Sequence, residues 1–159
     1  MKELTLTQQN QIVAILENRR AILLIKKRKS EKAIQVVDDL LNAGYDYHYF
    51  HNTKGIAYLY LNEPYKALIN FKRAIRLDSV ISNYYVNLYL ACSQLADKQP
   101  HRIDQALEAA NRAIEYKYVK DNPHPKEAKE FLEDLILFCN KCNKHEDAAH
   151  FFDILIGYS

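Results

Sequence analysis

Apolar residues in this chain return at steps of three and four, with polar residues between them. In "PYKALINFKRAIRLD" (64–78), Ala67, Phe71 and Ala74 mark one side, while Lys and Arg fill most of the gaps. That period matches the 3.6-residue turn of an α-helix rather than the two-residue alternation of a strand. Followed along the chain, it predicts helices at Thr7 to Arg28, Glu31 to Asn42, Tyr49 to Leu61, Pro64 to Leu77, Ser82 to Asp97, Ile103 to Tyr116, Lys126 to Lys141 and His145 to Ile156. Thr7 is the expected cap of the first. The tyrosine-rich "YDYHYFH" (45–51) has local strand propensity, but no Asn-Gly turn accompanies it, and glycine is scarce throughout. The chain reads as all-α.

The helices themselves repeat. Ala33 and Ala67 are 34 residues apart, as are Val37 and Phe71, Ala21 and Gly55, Ile22 and Ile56, Leu24 and Tyr58, and Ile56 and Leu90. A fixed period of that length marks a unit of two antiparallel helices. The first helix carries a small residue at Ala21 or Gly55, and the second opens on one at Ala33 or Ala67. Small residues let two backbones approach, and a large residue one turn later fills the space where they diverge. This accounts for the order small, large, small in Ala67, Phe71 and Ala74.

The stretch "GIAYLYLNEPYKALINFKRAIRLDS" closely resembles a tetratricopeptide repeat, through Gly55 and Tyr58 in its first helix and Ala67, Phe71 and Ala74 in its second. Ser79 stands where such a repeat usually closes on proline, and His51 where a tryptophan is conventional. Four units span the single expected domain, at about 14–47, 48–81, 82–118 and 126–159. The third has Tyr85, Leu88, Tyr89 and Cys92, a lengthened turn "ADKQPHRID", then Ala106, Ala110 and Ala113. The fourth has Leu132, Leu135, Ile136 and Cys139, then Ala148, Phe152 and Leu155, with "YVKDNPHP" (118–125) absorbing extra length before it. The resemblance implies antiparallel helix pairs stacked in a short right-handed superhelix.

The resemblance also implies a groove lined by the first helices of successive pairs, where a peptide would lie. Carried over, it would expose Asn18, Ile22, Ile25 and Lys26, then Tyr49, Asn52, Ile56, Leu59 and Tyr60, then Asn83, Val86, Leu90, Ser93 and Gln94. Glu133, Leu137 and Asn140 follow on the last pair. Ile22, Ile56 and Leu90, flanked by tyrosine and asparagine, suit an apolar or amphipathic segment of another protein. The Lys, Asn and Arg set with which carboxylate-gripping co-chaperones of this family hold a C-terminus is not supplied. Small repeat chaperones that escort secretion substrates are an alternative on size and repeat number.

In the last helix, "DAAHFFDILIGYS", Ala148, Phe152 and Leu155 are expected to face inward. Phe151, Ile154 and Tyr158 then form a second apolar stripe at helical spacing, a surface for a homodimer or a partner.

Charge and chemistry change this picture little. Twenty-two basic residues against 20 acidic give a formal net charge of +2, too weak a global field for a nucleic-acid or membrane role without a local patch. Arg19 to Lys32 holds seven basic residues and one acidic one. It is read as a solvated turn centred on Lys27, Arg28 and Lys29, with a surface for an acidic protein partner as the main alternative and a basic nucleic-acid surface as a further one. The longest aliphatic run, "AILLI" (21–25), is far too short to span a membrane. With no secretory signal at the start and three cysteines that cannot all pair, a reducing, cytoplasmic setting is expected.

"CNKC" (139–142), with His145 and His150 after it, invites zinc, but Cys139 holds an inward position and is read as core. "HEDAAH" (145–150) is one residue longer than the metalloprotease H-E-x-x-H; five helical steps set its imidazoles about 140° apart. His48 and His51 are read as surface or interface residues. No glycine pair can form a phosphate loop, and no nucleophile signature occurs. The expectation is a non-enzymatic binding protein without metal or cofactor.

Overall fold

The structure, a computed structural model, describes residues 5–158, and these contain eight α-helices and no strand. They fall into two compact units, one ending at Ser79 and the other starting at Val80. The first contains α1 (Leu6–Lys26), α2 (Ser30–Asn42), α3 (His48–Tyr60) and α4 (Pro64–Leu77). The second contains α5 (Ser82–Leu95), α6 (Arg102–Glu115), α7 (Pro125–Lys141) and α8 (His145–Tyr158). Within the units α1 packs on α2, α3 on α4, α5 on α6 and α7 on α8, so consecutive helices form the pairs; α3 also packs on α1 and α2.

Local sequence explains the helix ends. The cap of α1 is Thr5, not Thr7: its Oγ1 accepts from the Gln8 amide at 3.2 Å, and the Gln8 side chain accepts from the Thr5 amide at 2.9 Å. A threonine with glutamine three residues later can satisfy two orphan donors at once, which places the boundary there. Pro64 and Pro125 occupy first-turn positions of α4 and α7, where a missing N–H leaves no bond unmade.

Inside three of the pairs the turn is the same device. Arg28, Asn62 and Asn143 have φ of 58°, 57° and 58°. The next residue's amide donates back five residues, from Lys29 to Leu24, Glu63 to Tyr58 and Lys144 to Cys139, at 2.8–2.9 Å. This closure satisfies helix-end carbonyls but needs one left-handed residue, which asparagine tolerates better than arginine. Arg28 and Asn62 are themselves 34 residues apart, so the turn is part of the repeat.

The close approach predicted at Gly55 is present. A Cβ there would stand 2.4 Å from Phe71 Cε1, inside the buried Phe71 ring. The core of the first unit runs through Ala14, Ala21, Ile25, Ala33, Val37 and Leu40 to Phe50 and Ala57. In the second unit Tyr89, Cys92, Leu132, Leu135 and Cys139 are fully buried.

The register of α8 differs from expectation. Phe151 is fully buried and Phe152 is 50% exposed. Both flank Ala148, at steps of three and four that turn about −60° and +40° around the helix, so either could enter the core; the structure takes the first. The stripe of Phe151, Ile154 and Tyr158 therefore does not exist as a surface. Ile154 and Tyr158 are half-buried and line a cavity of about 480 Å³ with Ile114, Val119 and Lys120.

Candidate functional site

The first helices of each pair were expected to carry the site. In the first unit these are α1 and α3, which touch. Ala21 fixes the inward side of α1, and Asn18 and Ile25, three before and four after it, share that side. Both are buried, so they leave the open face. Asn18 Oδ1 has no hydrogen-bond partner among the described residues, an unfavourable state for a buried amide. Asn18 was misread because its polarity suggested exposure.

The remaining residues of this face stay accessible. Ile22 is 37% exposed and Tyr60 66%, Lys26 is exposed, and Asn52, Ile56 and Leu59 are half-buried. Ile56 rests on the core of the unit. Tyr49 is half-buried in a stack, its ring 5.4 Å from Tyr47 and nearly parallel to it. At one edge of the unit Asp46 accepts from His51 Nε2 at 2.6 Å and from Arg73. The hydrogen bond from His51, then that from Arg73, holds the Asp46 carboxyl below its ordinary range.

In the second unit the first helices are α5 and α7, and the space between them is polar. A cleft of about 320 Å³ is lined by Tyr89, Ser93, Gln94, Asp97, Asp134 and Lys141, with Leu137 and Phe138 as its apolar part. Tyr89 reaches it from the core: its ring meets Phe131 and Phe138 edge-on at 5.7 Å, and its hydroxyl donates to Asp134 at 2.7 Å. Burial and then the Asp134 carboxylate push the Tyr89 phenol far above its ordinary range, so it stays a donor. Lys141 donates to Asp97 at 2.9 Å across the rim.

Ser93, Gln94 and Leu137 were expected on this face and lie in the cleft. Asn83, Glu133 and Asn140 are exposed, and Val86 and Leu90 half-buried. Tyr89, Asp97, Asp134 and Lys141 were missed. Tyr89 did leave a signal, since it stands 34 residues after Gly55, where a small residue is the rule. The pairings Tyr89–Asp134 and Lys141–Asp97 obey no period and could not be read.

None of the cysteines lines this cleft, although Cys142 is close enough to its Lys141 and Asp97 to feel their charges. Cys92 and Cys139 are buried, Cys142 is half-buried, and none of the three is in a disulfide. Burial, with the Asp147 carboxylate nearby, pushes the Cys139 thiol up to about 11, opposite to the low pKa of a reactive or metal-binding thiolate. No group of three or more His, Cys, Asp or Glu among the described residues is placed to hold a metal ion. Lys27, Arg28 and Lys29 form the turn between α1 and α2, and no described helix is long and apolar enough to cross a membrane.

No protein-family model and no curated protein matches the chain. Solved structures do resemble it. A crystal structure of MamA aligns with TM-score 0.72 at 16% identity, over 91% of this chain and 77% of that one. YrrB, described as a TPR protein with an unusual peptide-binding site, aligns with TM-score 0.69 at 16% identity, over 92% of this chain and 69% of that one. The second TPR domain of human RPAP3, solved by NMR with an HSP70 peptide, aligns with TM-score 0.61 at 19% identity, over 76% and 96%. The class is therefore all-α helical repeat, and within it the fold is that of the tetratricopeptide-repeat proteins.

Proposed function

We propose that this protein holds an apolar or amphipathic segment of another protein against the open face of α1 and α3, and acts by binding alone. The observation that carries this reading is the exposure of Ile22 and Tyr60 on two first helices that touch, beside half-buried Ile56 and Leu59. Apolar side chains left in water on adjacent helices gain most from an apolar ligand, and the Asn52 amide and Lys26 ammonium beside them can fix a peptide backbone or a carboxylate. RPAP3 in its complex with an HSP70 peptide supports the reading by showing a peptide held on this fold. An affinity in the micromolar range, about −8 kcal/mol, is expected.

The test is a pull-down from the native host, comparing the unaltered protein with an Ile22→Glu, Tyr60→Glu double variant. Both side chains already meet solvent, so the variant should keep its fold, which far-UV circular dichroism verifies. A prey protein lost only with the variant supports this face. Prey retained at full recovery would move the site elsewhere, with the Tyr89–Asp134 cleft next in line.

A further inference from the structure

We propose that a second copy of this chain docks its α8, through Phe152 and Ile156, onto Leu16 and Leu23 of α1. The repeat carries the argument. Phe50 and Ala57 of α3 are fully buried in a cluster that includes Val37 and Leu40 of the preceding helix, α2. The residues 34 earlier, Leu16 and Leu23, hold the same places on α1 but are 55% and 56% exposed. Thus α1 presents the face on which α3 receives a preceding helix pair, and nothing among the described residues covers it.

Helix α8 presents the other half. Ala148 stands 115 residues after Ala33, and the same offset takes Val37 to Phe152 and Leu41 to Ile156. Val37 is fully buried, and Leu41 packs against the same cluster. On α8 the core place of Val37 is taken by Phe151 instead, which leaves Phe152 and Ile156, 50% and 60% exposed, as an apolar stripe one turn apart. One helix therefore shows the receiving face of the α2–α3 contact, and the other an exposed apolar stripe able to meet it.

Charge selects a second copy over an unrelated apolar helix. On α1 the two leucines are flanked one turn on by Arg19, and by Lys26 and Lys27, all exposed, while Arg20 is paired with Glu17 at 2.9 Å. On α8 the exposed acids Glu146 and Asp153 run along one edge of the Phe152 and Ile156 stripe. Leu16 and Leu23, Arg19 and Lys26, and Glu146 and Asp153 are each seven residues apart, the same rise of about 10.5 Å on a helix. Basic flanks on one face thus meet an acidic edge of equal spacing on the other. Because the two faces differ, the contact is heterologous, and assembly continues past two copies into a row or a closed ring. The inference does not depend on the peptide-binding reading, which concerns Ile22 and Tyr60.

Sedimentation velocity on the whole chain tests it. The unaltered protein should form larger species as its concentration rises, and less so in high salt. Leu16→Glu and Phe152→Glu should each yield monomers, the side chains being half exposed already. Mixed together they should give a one-to-one dimer, since the first variant keeps its α8 face and the second its α1 face. If either variant is misfolded by circular dichroism, Arg19→Glu, Lys26→Glu and Glu146→Lys, Asp153→Lys serve as the pair: each alone should be monomeric, and mixing restores opposite charges at both contacts, so the two should assemble alternately past a dimer. A protein still monomeric at about 1 mM overturns the proposal. So does an assembly whose variants fail to complement, because the contact would then join like with like, and so does a monomer that floats with anionic vesicles through α1.

Discussion

The pairs α3/α4 and α5/α6 meet the same packing problem with the bulk on opposite helices. In α3/α4 the first helix gives up a side chain at Gly55 and the second fills the space with Phe71. In α5/α6 the place of Gly55 is taken by buried Tyr89, and the second helix buries Ala106, Ala109, Ala110 and Ala113 instead. The period preserves the position of the contact but not which helix supplies the volume. The exchange has a chemical result, because a tyrosine on the first helix carries a hydroxyl through the core to Asp134 and makes the cleft of the second unit polar. The corresponding face of the first unit, with Gly55 beneath it, stays apolar at Ile22, Ile56 and Tyr60.

Substitutions can break this comparison. The largest effect is expected from Phe71→Ala, which empties a fully buried ring site and should cost about 3–5 kcal/mol in urea unfolding. Gly55→Ala should cost about 1–3 kcal/mol by overpacking that ring, and much less in a Phe71→Leu background, because the two positions share one space. Additive losses in the double variant would show that the glycine serves something other than Phe71.

Smaller effects sharpen the contrast. Tyr89→Phe keeps the ring and loses only the bond to Asp134, so a loss of about 1 kcal/mol is expected; a loss as large as that of Phe71→Ala would mean the hydroxyl, not the ring, organises the second unit. Arg28→Gly should stabilise by up to about 1 kcal/mol by relieving a left-handed arginine. Asn62→Gly, at the equivalent turn, should do little.

The Cys139 thiol gives a pH signature. Its folded pKa of about 11 lies above the ordinary 9, so the folded state holds the proton longer than the unfolded one. Its contribution is complete below about pH 9 and is lost as pH rises towards 11. Cys139→Ala should flatten the decline of stability across that window relative to the unaltered chain, measured by chemical unfolding at each pH.

Helix existence, pairing and the Gly55 contact were legible because each follows from a short-range rule or from the period of 34. What escaped was decided by one helical step or by contacts between pairs. Thr5 and Thr7 are both plausible caps until Gln8 chooses between them. Phe151 and Phe152 both flank Ala148, and only packing against α7 selects one. Asn18 looked like a surface amide, yet its place three residues before Ala21 commits it to the core. The polar cleft needed the distances between α5 and α7, which no spacing in the chain reports, although a tyrosine in a glycine's place was a visible sign that this pair differs.

The most direct test of which face works is site-specific photo-crosslinking in the native host, with a benzophenone amino acid placed at Tyr60 on the apolar face or at Gln94 in the polar cleft. The account predicts that Tyr60 captures an apolar or amphipathic segment of another protein and that Gln94 does not. Capture from Gln94 alone would contradict it and assign the binding to the cleft that Tyr89 and Asp134 build.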